Sequence, residues 1–275
     1  MKTRKNTWLL GLVGFLFTTQ SGWGQEYKLE HKFAKGEVAR YKRTVHTQIL
    51  AEALPGGKRE IVMEYHLTRK VENVAPGGAA EVIQTQNSVI TSVNQERVPN
   101  PKEEALNGIP ILMKTSKTGT YQEIRALKEV PPEAMLGFET MQHNLQNKPG
   151  FPARALKTSE AWDNEIALLQ NIPCCGQNYD HTITQKATST LSGVENYLDM
   201  PCTKVQVSGT MTGTAQTCCF TYTSSGTVQS AQLFDCQMGK EIKTTTNIDL
   251  VMNRTNSAGK MQFEVKTVAT EELLK

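Results

Sequence analysis

The C-terminal third of the chain alternates between apolar and polar residues over several consecutive segments. Between residues 200 and 268, apolar side chains recur at every second position, and Thr, Gln, Lys and Glu fill many positions between them. A period of two residues places successive side chains on opposite faces of a strand, so one face packs on a core and the other meets water. The stretch therefore predicts a half-buried antiparallel sheet. Its alternating apolar residues are Val205, Val207, Phe220, Tyr222, Ile242, Ile248, Leu250, Met252, Met261, Phe263 and Val265.

The first half of the chain contains extended segments separated by turns rich in Gly and Pro. Residues 38–50 and 61–67 flank Pro55-Gly56-Gly57, and Pro76-Gly77-Gly78 precedes residues 81–93. Glycine supplies the positive φ that tight turns need and proline fixes its own φ, so both triplets indicate chain reversals. Three strands joined by such turns predict an antiparallel meander.

The segment between Pro131 and Gly150 changes to a period of three and four residues, which predicts a helix. We interpret its apolar stripe as a packing surface rather than a cofactor groove. We therefore expect a mostly β protein made of two curved, half-barrel-like antiparallel meander units. Their predicted bounds are residues 25–127 and 157–275, with a helix-containing linker over residues 128–156. The stripe consists of Met135, Phe138, Met141 and Leu145.

The two halves share a weak order of motifs. Leu67 and Val71-Glu72-Asn73 find counterparts in Leu191 and Val194-Glu195-Asn196, and both halves restart a strand after a glycine hairpin. This order suggests an internal duplication, and it makes Trp162 part of a strand. The alternative is that two β meanders resemble each other by chance.

Residues 1–24 have the three parts of an export signal. A basic start with Lys2, Arg4 and Lys5 precedes an apolar centre over residues 8–17 and a small-residue exit over residues 21–24. A retained N-terminal anchor is the alternative. We expect an exported protein, periplasmic or extracellular, whose remaining sequence contains no transmembrane segment, because no later run approaches the roughly 20 apolar residues that a membrane helix needs.

The net charge of the chain comes from this predicted signal. The whole chain has 30 basic and 27 acidic residues, and the signal contains three basic residues and no acidic one, so 30 − 3 leaves 27 against 27. A neutral protein with interspersed charges lacks the electrostatic footprint of a nucleic-acid-binding protein. We therefore expect no nucleic-acid partner.

Several turn and strand motifs follow one another along the chain: Lys35-Gly36-Glu37 with Tyr41, the Ser116 to Gly119 hairpin, a Pro-containing link into Trp162, Val194-Glu195-Asn196, and Phe234-Asp235 with Gly239. In the order of these motifs the chain resembles a family of exported, β-rich bacterial proteins of unknown function. Some of these are similar in outline to the periplasmic half-barrels that carry lipids or lipoproteins. The resemblance implies a β architecture and a place outside the inner membrane, and it supplies no active site. The six cysteines depart from the family pattern.

Six cysteines lie in the second half of the chain, and an even number in an exported protein indicates disulfides. Six cysteines allow 15 pairings, and the sequence does not select one. Hairpin counting places Cys202 opposite Tyr222 or Thr223 and Cys236 near Ala215, so no two of these cysteines face each other on neighbouring strands. The loop pair Cys174-Cys175 is therefore the natural partner of the cysteines in the sheet. The disulfide candidates are Cys174, Cys175, Cys202, Cys218, Cys219 and Cys236.

Metal and cofactor sites have little support in the sequence. The chain has no C-x-x-C knuckle, and adjacent cysteines do not easily bind one tetrahedral ion, so we expect no metal and no cofactor. His46 and His66 fall on neighbouring predicted strands, but no third ligand stands at a spacing that completes a site.

The sequence contains no motif of a hydrolase, a zinc protease or a phosphate-binding loop, and we expect no enzymatic activity. Long alternating strands form curved sheets that enclose an apolar face. We therefore expect a binding protein that holds a lipid or another apolar or amphipathic ligand on a concave sheet face, or that docks an envelope protein. The alternative is a structural or interaction module whose core is filled by its own side chains.

Overall fold

The computed structural model of the protein describes residues 25–257 and 259–274, and the predicted signal over residues 1–24 lies outside them. The described residues form two α-helices, α1 (Pro101–Glu104) and α2 (Pro132–Gln146), and one 3-10 turn at Pro55–Gly57. No helix among them is both long and apolar enough to cross a membrane. The strands are β1 (Glu26–Tyr27), β2 (Val38–Leu50), β3 (Lys58–Val74), β4 (Ala80–Val93), β5 (Glu96–Val98), β6 (Pro110–Thr115), β7 (Tyr121–Ala126), β8 (Leu156–Lys157), β9 (Ala161–Cys174), β10 (Gln177–Tyr197), β11 (Met200–Gln216), β12 (Thr221–Asp235), β13 (Lys240–Asn256) and β14 (Gly259–Leu274).

One twelve-stranded sheet dominates the fold, in the order β7-β6-β4-β3-β2-β14-β13-β12-β11-β10-β9, with β5 paired to β4. Neighbouring strands of the sheet pair antiparallel. The β2–β14 pairing joins strands of both halves of the chain. The predicted mostly β, antiparallel meander architecture is therefore confirmed.

Helix α2 spans the gap between the two ends of the sheet. It follows β7 in the chain, precedes β8 and β9, and contacts β7 and β9, the two end strands of the sheet. On one side, Gln142 Nε2 donates a hydrogen bond to the Ile124 carbonyl at 2.8 Å. On the other, Asn144 donates to the Leu169 carbonyl at 3.0 Å and accepts from the Leu169 amide at 2.7 Å. The sheet thus curves until both edges approach one helix, which covers backbone groups that an exposed edge strand leaves unpaired.

The local predictions for the helix and for Trp162 are confirmed. The predicted helix is α2, and Trp162 lies in β9, where it pairs with Ser189. Strands β2, β3 and β4 form the predicted meander. The two-unit division and the duplication stay predictions.

The predicted strand partners of Cys202 (Tyr222 or Thr223) and of Cys236 (Ala215) are wrong. Cys202 pairs with Glu195 of β10, and Ala215 pairs with Tyr222. The prediction assumed that the chain reverses near residues 212 and 226, whereas both positions lie inside long strands. Gly226 does not form a turn but allows close packing of two strands, since a Cβ there would lie 2.1 Å from the Asp249 carbonyl oxygen.

Four groups of buried apolar residues fill the interior of the described part of the chain, the smallest of them around Cys202, Leu233 and Ile242. One lies between α2 and the strands of the first half, where Met113, Ile124 and Phe138 are buried. A second closes one end of the sheet around Phe234, which is fully buried. The third, which we call the filled layer, packs on the strands of the second half and consists of Ile183, Met211, Val228 and Leu250.

Candidate functional site

A cavity of about 760 Å³ lies between the sheet and helix α2. The inward positions of β3 and β4 form one wall, and the face of α2 that carries Leu136, Met141 and Leu145 forms the other. Of the predicted apolar stripe, only Met141 and Leu145 line the cavity, whereas Phe138 packs in the core. Ligand sites of small molecules are concave, mostly apolar and typically about 300–1,000 Å³ in volume. The apolar lining includes Phe33, Leu67, Val71, Val82, Met113, Leu136, Met141, Leu145 and Phe151.

An ion pair crosses the sheet wall of this cavity. Arg69 on β3 donates one hydrogen bond to Glu271 Oε1 on β14 at 2.8 Å and another to Gln84 Oε1 at 2.9 Å. Its guanidinium lies 4.3 Å from the centre of the Tyr41 ring. Burial disfavours the charged guanidinium, but Glu271 and Tyr41 outweigh it and raise the pKa of Arg69. The guanidinium therefore remains charged inside the fold.

A second, looser ion pair lies at the C-terminal end of α2. Lys148 Nζ is 4.0 Å from Glu241 Oε2, and Glu241 also accepts hydrogen bonds from Thr244 and Gln232. Burial alone would raise the pKa of Glu241, but Lys148 and the donated hydrogen bonds lower it. Glu241 in turn raises the pKa of Lys148 against the effect of burial. Lys148 lines the cavity and leaves 47% of its side chain accessible, so its ammonium can bind a further group there.

A group of aromatic rings closes the cavity at the end of the sheet where Phe234 is buried. His31 stacks on Phe33 with ring centres 5.8 Å apart and on Phe151 at 6.0 Å, and Phe234 meets its edge at 5.3 Å. Burial lowers the pKa of His31 to about 4, although Glu241 opposes this shift. The imidazole is therefore neutral at pH 7.

None of these charged residues was predicted from the sequence to belong to a site. Arg69 and Glu271 are 202 positions apart, and only the β2–β14 pairing explains their proximity. One signal was present in the sequence. Arg69 occupies the same inward register as Leu67 and Val71, where an apolar residue is expected.

The structure brings four of the six candidate cysteines together at the far end of the sheet. Cys174 and Cys175 end the β9–β10 hairpin, and Cys218 and Cys219 form the β11–β12 turn. Their four sulfur atoms all lie within 4.8 Å of one another. The Tyr179 hydroxyl and the neighbouring thiols stabilise the Cys218 thiolate by hydrogen bonding, which lowers the pKa of Cys218 to about 7.

The two remaining candidates lie at the opposite end of β11 and β12. Cys202 is fully buried beside Leu233 and Ile242, and burial raises the pKa of its thiol. Cys236 is half-buried, with its sulfur 3.1 Å from Thr203 Oγ1. All six cysteines are free thiols here, and the disulfide assignment stays a prediction.

The two histidines considered as ligands do not form a site. His46 pairs with Val62, whereas His66 pairs with Lys42, so the two residues share a face but stand four positions apart, about 13 Å along the strands. Within residues 25–257 and 259–274, the four cysteines are the one group of at least three potential ligands that lies close enough to hold a metal ion.

Comparison with known proteins gives a weak likeness. No protein-family model and no curated protein matches the sequence. A LolA superfamily protein from Nitrosomonas europaea is 11% identical, over 89% of this chain and 86% of that chain, with a TM-score of 0.19. An outer membrane channel from Pseudomonas putida is 6% identical, over 89% of this chain and 98% of that chain, also with a TM-score of 0.19. The family resemblance of the turn motifs therefore has only a weak counterpart in the fold, and this likeness indicates no function.

Proposed function

We propose that the protein is an exported, non-enzymatic binding protein that holds an amphipathic small molecule in the cavity under α2. The apolar body of the ligand packs between the sheet and the helix, and its acidic head group meets Lys148. Export follows from the predicted signal over residues 1–24, and a periplasmic or other envelope location is part of the proposal.

The cavity itself is the observation that supports this function. A module whose core is filled by its own side chains has few voids larger than a water molecule, because protein interiors are close-packed. A void of about 760 Å³, lined by Leu, Val, Met and Phe side chains together with charged and polar ones, does not fit that alternative. Removing the apolar surface of a ligand from water stabilises its complex by about 25 cal/mol per Å².

Lys148 supports an acidic head group. Arg69 is satisfied by Glu271 and Gln84, whereas Lys148 lies at a looser 4.0 Å from its carboxylate partner and leaves nearly half of its side chain accessible. A hydrogen bond from an ammonium to a carboxylate or phosphate is roughly twice as strong as one between neutral groups. A carboxylate or phosphate head group at Lys148 would therefore be favoured over a neutral one.

Binding of a fluorescent polyene fatty acid, cis-parinaric acid, tests the cavity. The protein is first extracted with organic solvent, and the extract is analysed for lipid by mass spectrometry. Met141→Trp places a larger side chain in the cavity and should weaken binding at least about tenfold, equivalent to about 1.4 kcal/mol. Met135→Trp is the matched control, because Met135 lies on the same helix but is 39% exposed and outside the cavity lining.

A comparison of the acid with its neutral methyl ester tests the head-group assignment. Lys148→Met should weaken binding of the acid about tenfold and leave the ester unchanged. Lys128→Met, a change at an exposed lysine outside the cavity, should alter neither. If the extracted wild-type protein binds neither probe, or if Met135→Trp and Met141→Trp lose affinity equally, the proposal is wrong and the structural-module alternative is favoured.

A further inference from the structure

Two neighbouring hairpin turns each present a pair of adjacent cysteines. In the β9–β10 turn, Cys175 and Gly176 have φ values of 52° and 76°. Positive φ at both central residues is the geometry of a two-residue hairpin turn, and Asn94-Gln95 and Leu198-Asp199 adopt it too. The pairing of Cys174 with Gln177 on either side of this turn fixes where Cys174 and Cys175 lie.

The second turn is fixed by the threonine that precedes its cysteines. The Thr217 amide donates to the Phe220 carbonyl at 2.8 Å, and Thr217 Oγ1 accepts a hydrogen bond from the Phe220 amide at 3.0 Å. These bonds hold Cys218 and Cys219 at the centre of a tight turn. Continuous β10–β11 pairing then fixes the position of this turn relative to the first one.

The sulfur atoms form one compact group rather than two separate pairs. Sulfur–sulfur distances are 3.6 Å within the first turn and 3.3 Å within the second. Between the turns, Cys174 lies 3.9 Å from Cys218, and Cys175 lies 2.9 Å from Cys219. A Zn²⁺ ion bound by four thiolates at about 2.3 Å has sulfur atoms about 3.8 Å apart at the corners of a tetrahedron. The four thiols need only small side-chain movements to reach this arrangement.

We propose that Cys174, Cys175, Cys218 and Cys219 form a four-thiolate site for one Zn²⁺ ion. Each thiol loses its proton on binding, and the ion links the tips of two hairpins without oxidation or reduction. The chain has no C-x-x-C knuckle, and its adjacent cysteines were expected not to bind one tetrahedral ion easily. In the structure the sulfur atoms within the two adjacent pairs are 3.6 and 3.3 Å apart, close to the tetrahedral spacing, and two facing turns each provide half of the ligands.

Titration of the reduced, metal-free full-length protein with Co²⁺ tests this site independently of the cavity. Co²⁺ in a tetrahedral thiolate site should give sulfur-to-cobalt charge-transfer bands and intense visible bands that saturate at a single equivalent. Added Zn²⁺ should abolish both sets of bands and raise the midpoint of thermal unfolding, because a ligand that binds the folded state stabilises it.

Serine variants decide which cysteines bind. Cys175→Ser and Cys219→Ser should each weaken Zn²⁺ binding at least a hundredfold in competition with a chelator. Cys236→Ser, a thiol at the opposite end of the sheet, should bind as tightly as the wild type. If Cys175→Ser fails to fold, Cys219→Ser gives the same information from the other turn.

Three results would overturn the proposal. The first is binding of Co²⁺ to the reduced protein without charge-transfer bands, and the second is binding that survives in the Cys219→Ser variant. The third is non-reducing peptide mapping of the protein from its native compartment that finds the two turns joined by disulfides, with no free thiol in either. That last result would replace the zinc site with the disulfides predicted from the sequence.

Discussion

Two stretches of the same concave sheet face are occupied in different ways. Near α2, the inward positions of β13 carry Thr244 and Thr246, and a cavity lies in front of them. Farther along the same strand, with the same alternation, the inward positions carry Ile248 and Leu250, and side chains fill the space. Strand β12 changes in the same direction, from Gln232 at the cavity to Val228 in the filled layer.

A two-residue period predicts which face of a strand points inward, since it depends only on backbone geometry. It does not predict whether side chains fill the space on that face. Whether the inside is filled depends on the volume of the inward residues. A change from Ile, Leu and Val to Thr and Gln at the inward positions of a strand therefore indicates where the cavity begins.

The largest expected difference is between two methionines that lie in these two stretches. Met211 is 3% exposed within the filled layer, so Met211→Ala should leave a void and lower the free energy of unfolding by about 4 kcal/mol. Met141 borders an existing cavity, so Met141→Ala should lower it by less than about 1.5 kcal/mol. Urea unfolding of both variants measures the two values. Equal losses would mean that the space under α2 is as tightly packed as the filled layer.

The next largest effect concerns the ion pair in the cavity wall. Arg69→Met leaves the carboxylate of Glu271 without its partner and should lower the free energy of unfolding by about 3 kcal/mol. Arg43→Met is the control: its guanidinium lies 5.9 Å from the centre of the Tyr65 ring, a contact worth about 0.5–1 kcal/mol at an exposed site. Replacing Glu271 by Leu in the Arg69→Met protein should recover part of the loss. If the second change instead adds to the first, the two residues are not coupled.

Both regions contain a histidine whose pKa is lowered by burial: His31 in the group of aromatic rings, and His181 two residues from Ile183 of the filled layer. His31 has a folded-state pKa of about 4, below the ordinary 6.5, so between these pH values the unfolded chain binds more protons. Stability should therefore fall as the pH drops from 6.5 to 4, by about 2–3 kcal/mol for this one group. His31→Gln should remove this part of the slope, whereas His143→Gln, outside the cavity lining, should not. Denaturant unfolding across this pH range measures it, and an unchanged slope in His31→Gln would contradict the assignment.

The sequence predicts the fold better than the site, for a physical reason. Strand periods, the turn triplets and the helix from Pro132 are local, and the structure confirms them. The cavity charges are not local: Arg69 meets Glu271, and Lys148 meets Glu241, only because the sheet is continuous across the two halves of the chain.

The positions of the cysteines in the fold were also predicted poorly from the sequence. Their number and their adjacent pairs are evident in the sequence, but the turn that contains Cys218 and Cys219 was misplaced. Gly213 and Gly226 resemble turn residues, yet each lies inside a strand, where neighbouring atoms leave no room for a Cβ. A glycine that permits close packing and a glycine that permits a turn look the same in one sequence.

The smallest expected effect lies where α2 covers an edge of the sheet. Asn144 makes both hydrogen bonds to the Leu169 backbone of β9, so Asn144→Ala should expose these groups to water and lower stability by about 1–2 kcal/mol. Asn147→Ala, which removes a hydrogen bond to the His143 carbonyl within the helix, should lower it by less than about 0.5 kcal/mol.

Hydrogen exchange separates local opening at this edge from global unfolding. In the Asn144→Ala protein, the Leu169 amide should exchange at least tenfold faster. The exchange rates of amides in the filled layer should rise only as far as the loss in the free energy of global unfolding requires. A helix that opens at this edge would give a ligand access to the cavity without disturbing the rest of the sheet. If Leu169 and the filled layer instead change their exchange rates in parallel, α2 and the sheet unfold as one unit, and a ligand must enter the cavity by another path.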